Sequence, residues 1–338
     1  MNPRNIVLDA IKGVAILCII VTHFNWTDSE RMIYGFPFWI DTAMPVFMTL
    51  SGYLYAQSFD KHSVVKLKDA YELPVLLKNL LRFILPFALL APLDVLCGVA
   101  KTGNVMSSIK HLALGGFGPG SYYVPMMLQF ALIFPLLFVI VRKYKRRGVM
   151  LLLAFNVAYE WGCSLLEMPV WMSSSAAFNL LGYRILIARY VGVLGLAIYL
   201  SQNKCGMKTA LTLMIGGGMW LVSVCYGGYK PLVFQRWVTT CLPAALFSVG
   251  LIMMILRFLQ PKHFPDCIIP LVGVVGKSTY EIFLVQKLFY AMPFSCVMTL
   301  CAPRAIQLMI CMLTCIIGGL LFRNMFQMAA YKVKALGK

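Results

Sequence analysis

The stretch Ile6-Val7-Leu8-Asp9-Ala10-Ile11-Lys12-Gly13-Val14-Ala15-Ile16-Leu17-Cys18-Ile19-Ile20-Val21-Thr22-His23-Phe24 decides the fold class. It is apolar over roughly the twenty residues an α-helix needs to cross a bilayer, and its ionisable groups sit toward its two ends. Asp9 and Lys12 interrupt its start and no small-residue cleavage site follows, so it reads as a retained helix rather than a cleaved leader. Nine comparable stretches lie near 35–57, 80–100, 122–141, 149–167, 180–200, 209–227, 237–258, 268–290 and 305–323. The expectation is an all-α polytopic membrane protein of ten helices, one domain over 1–338 with no soluble domain. Composition agrees: 60% of residues are hydrophobic and 12% charged, about half the charge of an ordinary soluble domain. Soluble enzymes, disordered chains and disulfide-rich secreted modules are excluded.

The formal charge of +18 would suggest nucleic acid on a soluble protein. Here the bases cluster between apolar runs, where anionic membrane lipid is the expected partner and nucleic acid is not. With the N-terminus inside, twenty Lys and Arg fall on inner segments against six on outer ones, with four inside spans. The asymmetry predicts both termini in the cytoplasm and an even number of helices.

The eleven Cys are scattered singly without CxxC or Cys/His ligand spacing, so neither a metal site nor a disulfide framework is expected. The longest connections are about twenty residues. One ends in Gly115-Gly116-Phe117-Gly118-Pro119-Gly120, which cannot be helical and reads first as a flexible connector, with a re-entrant loop lining an outer cavity as the alternative. There is no evident internal repeat of the kind found in many transporters. Gly276-Lys277-Ser278 imitates the end of a phosphate-binding loop, but no strand precedes it and the first glycine of that pattern would fall on Leu271. Gly216-Gly217-Gly218 would let helices approach closely, within one chain or between copies in an oligomer.

Ionisable groups inside spans are costly in lipid and point to cavities or partners. Lys12 and His23 are eleven residues apart, which at about 100° per residue places them on one helix face and roughly 16 Å apart along the axis. A cation toward the cytoplasm and an imidazole toward the outside suit a reaction that draws on both compartments. The structural readings are an imidazole closing the helix end beside Trp26, and a Lys12 ammonium paired with Asp9. Asp41 lies near the outer end of the second span, where a carboxylate can orient an imidazole or simply suit a helix N-terminus. Ser51-Gly52 reads as a small-residue contact. Arg82 and Lys78, at the start of the third span, suit phosphates arriving from the cytoplasm. Glu160, Arg184 and Arg189 read as a buried ion pair, and Lys277 and Glu281 as a pair four residues apart.

Four stretches resemble the acyltransferase-3 family of bacterial membrane acyltransferases. They are Asp9-Ala10-Ile11-Lys12-Gly13 through Thr22-His23; Pro45 through Leu50-Ser51-Gly52-Tyr53-Leu54; Arg82-Phe83-Ile84-Leu85-Pro86; and Gly276-Lys277-Ser278-Thr279-Tyr280-Glu281-Ile282-Phe283-Leu284-Val285. Departures stand beside them. The family's late segment usually ends in His, and this chain has Gln286. Its third helix often has two arginines three apart, and here Asn79 takes the first position. The start of the fourth helix reads Tyr122-Tyr123-Val124-Pro125.

The resemblance implies acyl transfer, with acetyl from cytoplasmic acetyl-CoA passing to a hydroxyl of a surface glycan or its lipid-linked precursor at the inner membrane. His23 is then the expected base, or alternatively the carrier of an acyl-imidazole intermediate, with Asp41 its orienter and Lys12 a further catalytic candidate. Lys12, Arg82, Lys78 and Ser51 would receive the donor, and Trp39, Tyr122, Tyr280, Glu281 and Arg189 the substrate. No tightly bound cofactor is expected, since acyl-CoA is a substrate. A transporter or flippase of a glycolipid or small anion is the alternative and predicts movement that survives loss of acyl-CoA. A scaffold would tolerate His23→Ala.

Overall fold

The computed structural model describes residues 5–62, 67–166, 183–203, 206–232, 234, 237–292 and 294–336. Its regular structure is helical, with no strand among the described residues. The principal helices are α1 (Ile6–Thr22), α2 (Ala43–Lys61), α3 (Leu73–Thr102), α4 (Val105–Leu112), α5 (Tyr123–Tyr144) and α6 (Arg146–Leu166). They continue with α7 (Val191–Gln202), α8 (Met207–Cys225), α9 (Leu242–Phe258), α10 (Ile269–Lys277), α11 (Thr279–Ala291) and α12 (Arg304–Leu336). Shorter turns of helix join several of them.

Among the described residues, five helical segments are long and apolar enough to cross a membrane: Leu67–Thr102, Tyr123–Tyr144, Arg146–Leu165, Met207–Cys225 and Arg304–Met328. The protein is therefore a multi-pass membrane protein. The other apolar stretches behave differently from the ten uniform spans that hydropathy predicts. The second begins as a short helix, Phe36–Trp39, and α2 starts only at Ala43. The sixth has a 3-10 turn at Ile187–Tyr190 before twelve residues of α7, and residues 180–182 lie outside the described residues. The ninth is cut at Ser278, whose hydroxyl donates to the Val274 carbonyl (2.8 Å) and receives Arg323 (2.8 Å). A side chain inserted into the backbone ladder in this way ends one helix and starts the next.

The helices form two compact units. Unit 1 contains Met1–Trp26, Arg82–Val124 and Gln260–Lys338. In it α1 starts on Asn5, whose side chain accepts from the Val7 N–H at 3.0 Å, the usual satisfaction of an orphan donor at a helix N-terminus. α1 runs along α10 and α11. A Cβ on Gly276 would lie 2.5 Å from the Asp9 carbonyl oxygen, so only glycine permits this approach. α12 closes on α11 in the same way, with Gly319 against Ile282.

Unit 2 contains Thr27–Leu81 and Pro125–Leu259. α2 lies on α7 with Gly52 against Ala197 and Leu194, as the small-residue reading of Ser51-Gly52 expects. α8 lies on α9 through Gly217 against Phe247 and Gly250 against Met214. Tyr55 and Phe59 of α2 make edge-on ring contacts with Phe130, Phe134 and Phe138 of α5. Helices deprived of a hydrophobic drive in lipid associate through such close backbone approach and ring packing.

Candidate active site

His23 closes α1. Its backbone N–H reaches the Ile20 carbonyl at 3.3 Å, and the side chain is half-buried. The helix end is held from two sides, because Tyr290 of α11 donates its hydroxyl to the Ile20 carbonyl (2.9 Å) and Trp26 donates its indole N–H to the Val21 carbonyl (2.7 Å). Arg304 donates to the Asn25 carbonyl and lies over the Phe24 and Trp26 rings. The expectation that His23 terminates the helix beside Trp26 is thus met. The imidazole is also part of a wall: its ring stands 5.9 Å from that of Tyr290, edge-on.

Opposite it is the glycine loop. A Cβ on Gly120 would lie 3.8 Å from His23 Nε2 and 3.1 Å from the Phe283 ring. Gly120 has φ +80°, a conformation natural only to glycine, so the loop backbone lies beside the imidazole with no side chain between them. From Phe283 the ring contacts continue to Tyr123 (4.9 Å), from Tyr123 to Tyr280 (6.5 Å), and from Tyr280 to Phe83 (5.4 Å), next to Arg82. Tyr280 donates to the Phe83 carbonyl at 2.9 Å. An aromatic wall therefore connects the Arg82 region of unit 1 with His23.

The loop is no flexible connector. Asp94 of α3 accepts from the Phe117 N–H at 2.9 Å and from the Lys287 ammonium, and Lys287 donates as well to the Gly115 carbonyl at 2.7 Å. Both charges are buried, with exposures of 0% and 1%. A Cβ on Gly116 would meet the Asp94 carboxylate at 2.6 Å, and one on Gly118 the Lys287 carbonyl at 2.1 Å. The glycines are there because the loop is pressed onto a buried ion pair. Sequence reasoning passed over Asp94 and Lys287, although a charge inside an apolar run was the available signal.

Lys12 lies 3.8 Å from Asp9 Oδ1, the pairing the sequence suggested. Arg82 is exposed, its guanidinium 6.0 Å from the Phe83 ring. Glu281 is half-buried, within electrostatic reach of Arg323 and Arg82. Lys277 and Glu281 end up on separate helices and make no ion pair among the described residues, because the Ser278 break removes their i,i+4 register. Tyr122 is half-buried beside Tyr123. Unit 1 thus gathers Lys12, His23, Arg82, Tyr122, Tyr280 and Glu281.

Asp41, Trp39, Ser51, Lys78 and Arg189 belong to unit 2. Asp41 sits in the turn before α2 and takes Arg31 at 2.7 Å. Trp39 donates to the Tyr34 carbonyl (2.7 Å) with half its surface exposed. Ser51 is half-buried, and Lys78 is exposed. Arg189 is buried among Tyr183, Tyr190 and Trp237 and donates to the Thr240 hydroxyl at 2.6 Å. Glu160 lies within its electrostatic reach and holds the start of α9, accepting the Leu242 N–H at 3.2 Å. Asn156 accepts the Gly192 N–H of α7 at 3.0 Å and donates to Glu160 at 3.3 Å. Glu160 and Asn156 thus form a network that satisfies the first turns of two helices, with Arg189 in electrostatic reach rather than in the direct ion pair expected.

A family model described as an acyltransferase domain, that of the acyltransferase-3 family, matches residues 5–323. The chain belongs to the acyltransferase-3 family. The match takes in both units and every residue placed above. No curated protein and no solved structure matches the chain. As a member of the acyltransferase-3 family it is a membrane acyltransferase. The imidazole of His23 is a group that can take a proton from a hydroxyl.

Proposed function

We propose that the protein is a membrane O-acyltransferase, moving acetyl from cytoplasmic acetyl-CoA to a hydroxyl of a cell-surface polysaccharide or its lipid-linked precursor. The observation that carries this reading is His23, held at the end of α1 against the Gly120 backbone and the Phe283 and Tyr290 rings, with Lys12 on the same helix face. His23 takes the acceptor hydroxyl's proton as its oxygen attacks the thioester carbonyl. The C–S bond then breaks, and the departing CoA thiolate recovers a proton from the imidazolium. Lys12 and Arg82, both of unit 1, meet the donor's phosphates. Tyr122, Tyr280 and Glu281, which lie in the same unit as His23, are the proposed substrate contacts.

The charge asymmetry of the sequence supports cytoplasmic termini and an even number of membrane segments; the ten apolar stretches support a count of ten, and the family resemblance supports the inner membrane.

The test is transfer of labelled acetyl from acetyl-CoA into envelope glycan by membranes containing wild-type protein or His23→Ala at matched expression. The expected result is wild-type-dependent label that falls at least about a hundredfold in the variant, as loss of a general base requires. Equal label in both would overturn the role of His23. Absence of label in either, across several acyl-CoAs, would overturn the donor assignment.

A further inference from the structure

Gln286 is completely buried in α11. Neither its amide oxygen nor its amide nitrogen has a hydrogen-bond partner among the described residues. A buried amide left in this condition is destabilising, and a Met or Leu would fill the same space without that cost. Its presence calls for a partner that arrives from outside the chain.

The position of Gln286 indicates what that partner is. Phe283 lies three residues before it and Tyr290 four after, so all three share a helix face. Both of those rings border His23: Phe283 through Gly120, and Tyr290 directly. The level along α1 follows from the contacts between helices. Gly276 lies against Asp9 and Val275 against Gly13, while the Tyr290 hydroxyl reaches the Ile20 carbonyl. The segment 276–290 thus runs beside 9–20 in the same direction. At equal rise per residue, Gln286 falls about two-thirds of the way along it, between the levels of Lys12 and His23.

This inference rests on the proposed acyl-CoA donor. With the phosphates at the Lys12 end and the thioester at His23, the part of the donor between them is the pantetheine arm, which contains two secondary amides. A carboxamide offers one carbonyl acceptor and two N–H donors, the complement of an amide's own N–H and C=O. We infer that Gln286 is a binding residue for the amide-bearing arm of the thioester donor, pairing with it in the otherwise apolar interior between Lys12 and His23.

The experiment uses the full chain in lipid nanodiscs, as wild type, Gln286→Met and Gln286→Leu. Two probes are titrated: a thioether analogue of acetyl-CoA that cannot transfer its group, and 3′-phospho-ADP, which lacks the arm. Both variants are expected to bind the thioether about tenfold or more weakly, to bind 3′-phospho-ADP as wild type does, and to unfold at the same temperature or higher. Equal binding of the thioether by all three proteins would overturn the inference and leave the acyl-CoA reading standing. So would equal weakening toward both probes. Lower thermal stability in the variants would show that the amide is satisfied within the folded protein, and would also overturn it. Failure of the wild type to bind the thioether would instead overturn the acyl-CoA reading itself, and the inference with it.

Discussion

Replacing Asp94 with Leu is expected to be among the most damaging single changes in unit 1, and replacing its partner as well should undo much of the damage. Asp94 and Lys287 are 0% and 1% exposed. In Asp94→Leu the Lys287 ammonium keeps the Gly115 carbonyl (2.7 Å) and the Phe87 ring (4.9 Å) but loses its counter-charge. Breaking a buried pair from one side costs about 3–5 kcal/mol, mostly the penalty of the stranded charge. The loop also loses the Phe117 N–H bond, worth about 1 kcal/mol. In the double variant Asp94→Leu/Lys287→Met no charge remains, and only the loop bonds of about 1 kcal/mol each are forfeited. The assay is denaturant-driven unfolding of purified protein in mixed micelles, followed by tryptophan fluorescence, with acyl transfer measured in parallel. The expected order of stability is wild type, then double variant, then Asp94→Leu, with at least about 2 kcal/mol between the last two. Activity should be low in both variants, because the loop that lies beside His23 is anchored by this pair. A single variant as stable as the double would refute the argument, since it would mean that Lys287 is not stranded.

Adjacent glycines of α8 make opposite predictions. Gly216→Ala meets nothing within 4 Å and should be neutral or stabilising by up to about 1 kcal/mol from helix propensity, whereas Gly217→Ala would place its Cβ 2.5 Å from the Phe247 backbone nitrogen and should destabilise by about 1–3 kcal/mol, both read from thermal unfolding. In unit 2, Glu160→Leu removes the acceptor for the Leu242 N–H and leaves that buried donor at the head of α9 unsatisfied; a stability loss of about 1–3 kcal/mol is expected, and unchanged unfolding would show that the carboxylate is not holding the helix start.

Hydropathy summed along the chain was enough to read an all-helical membrane protein, because the cost of placing polar backbone in lipid leaves few alternatives. Helical periodicity was enough to place Lys12 and His23 on one face, since both lie in a single unbroken helix. The pairing of Lys12 with Asp9 and the contact at Gly52 were legible for similar reasons: the first is local, and the second uses a residue type with few other uses in a membrane helix.

Where helices start and stop was less legible. Hydropathy does not distinguish one apolar helix from two joined by a side-chain insertion, so the Ser278 break was invisible until Arg323 was seen against that hydroxyl. The glycine loop was misread as a connector because its anchors are remote in sequence: Asp94 and Lys287 are 193 residues apart. The same holds for Arg189 and Thr240, and for Glu160 and the head of α9. What the sequence determined by itself was therefore everything that depends on composition and on neighbours along one helix. What only the tertiary structure decided was which distant groups meet, and which, like the buried amide of Gln286, have no hydrogen-bond partner among the described residues. Burial and pairing are properties of distance in space, and distance between segments is set by helix packing rather than by order along the chain.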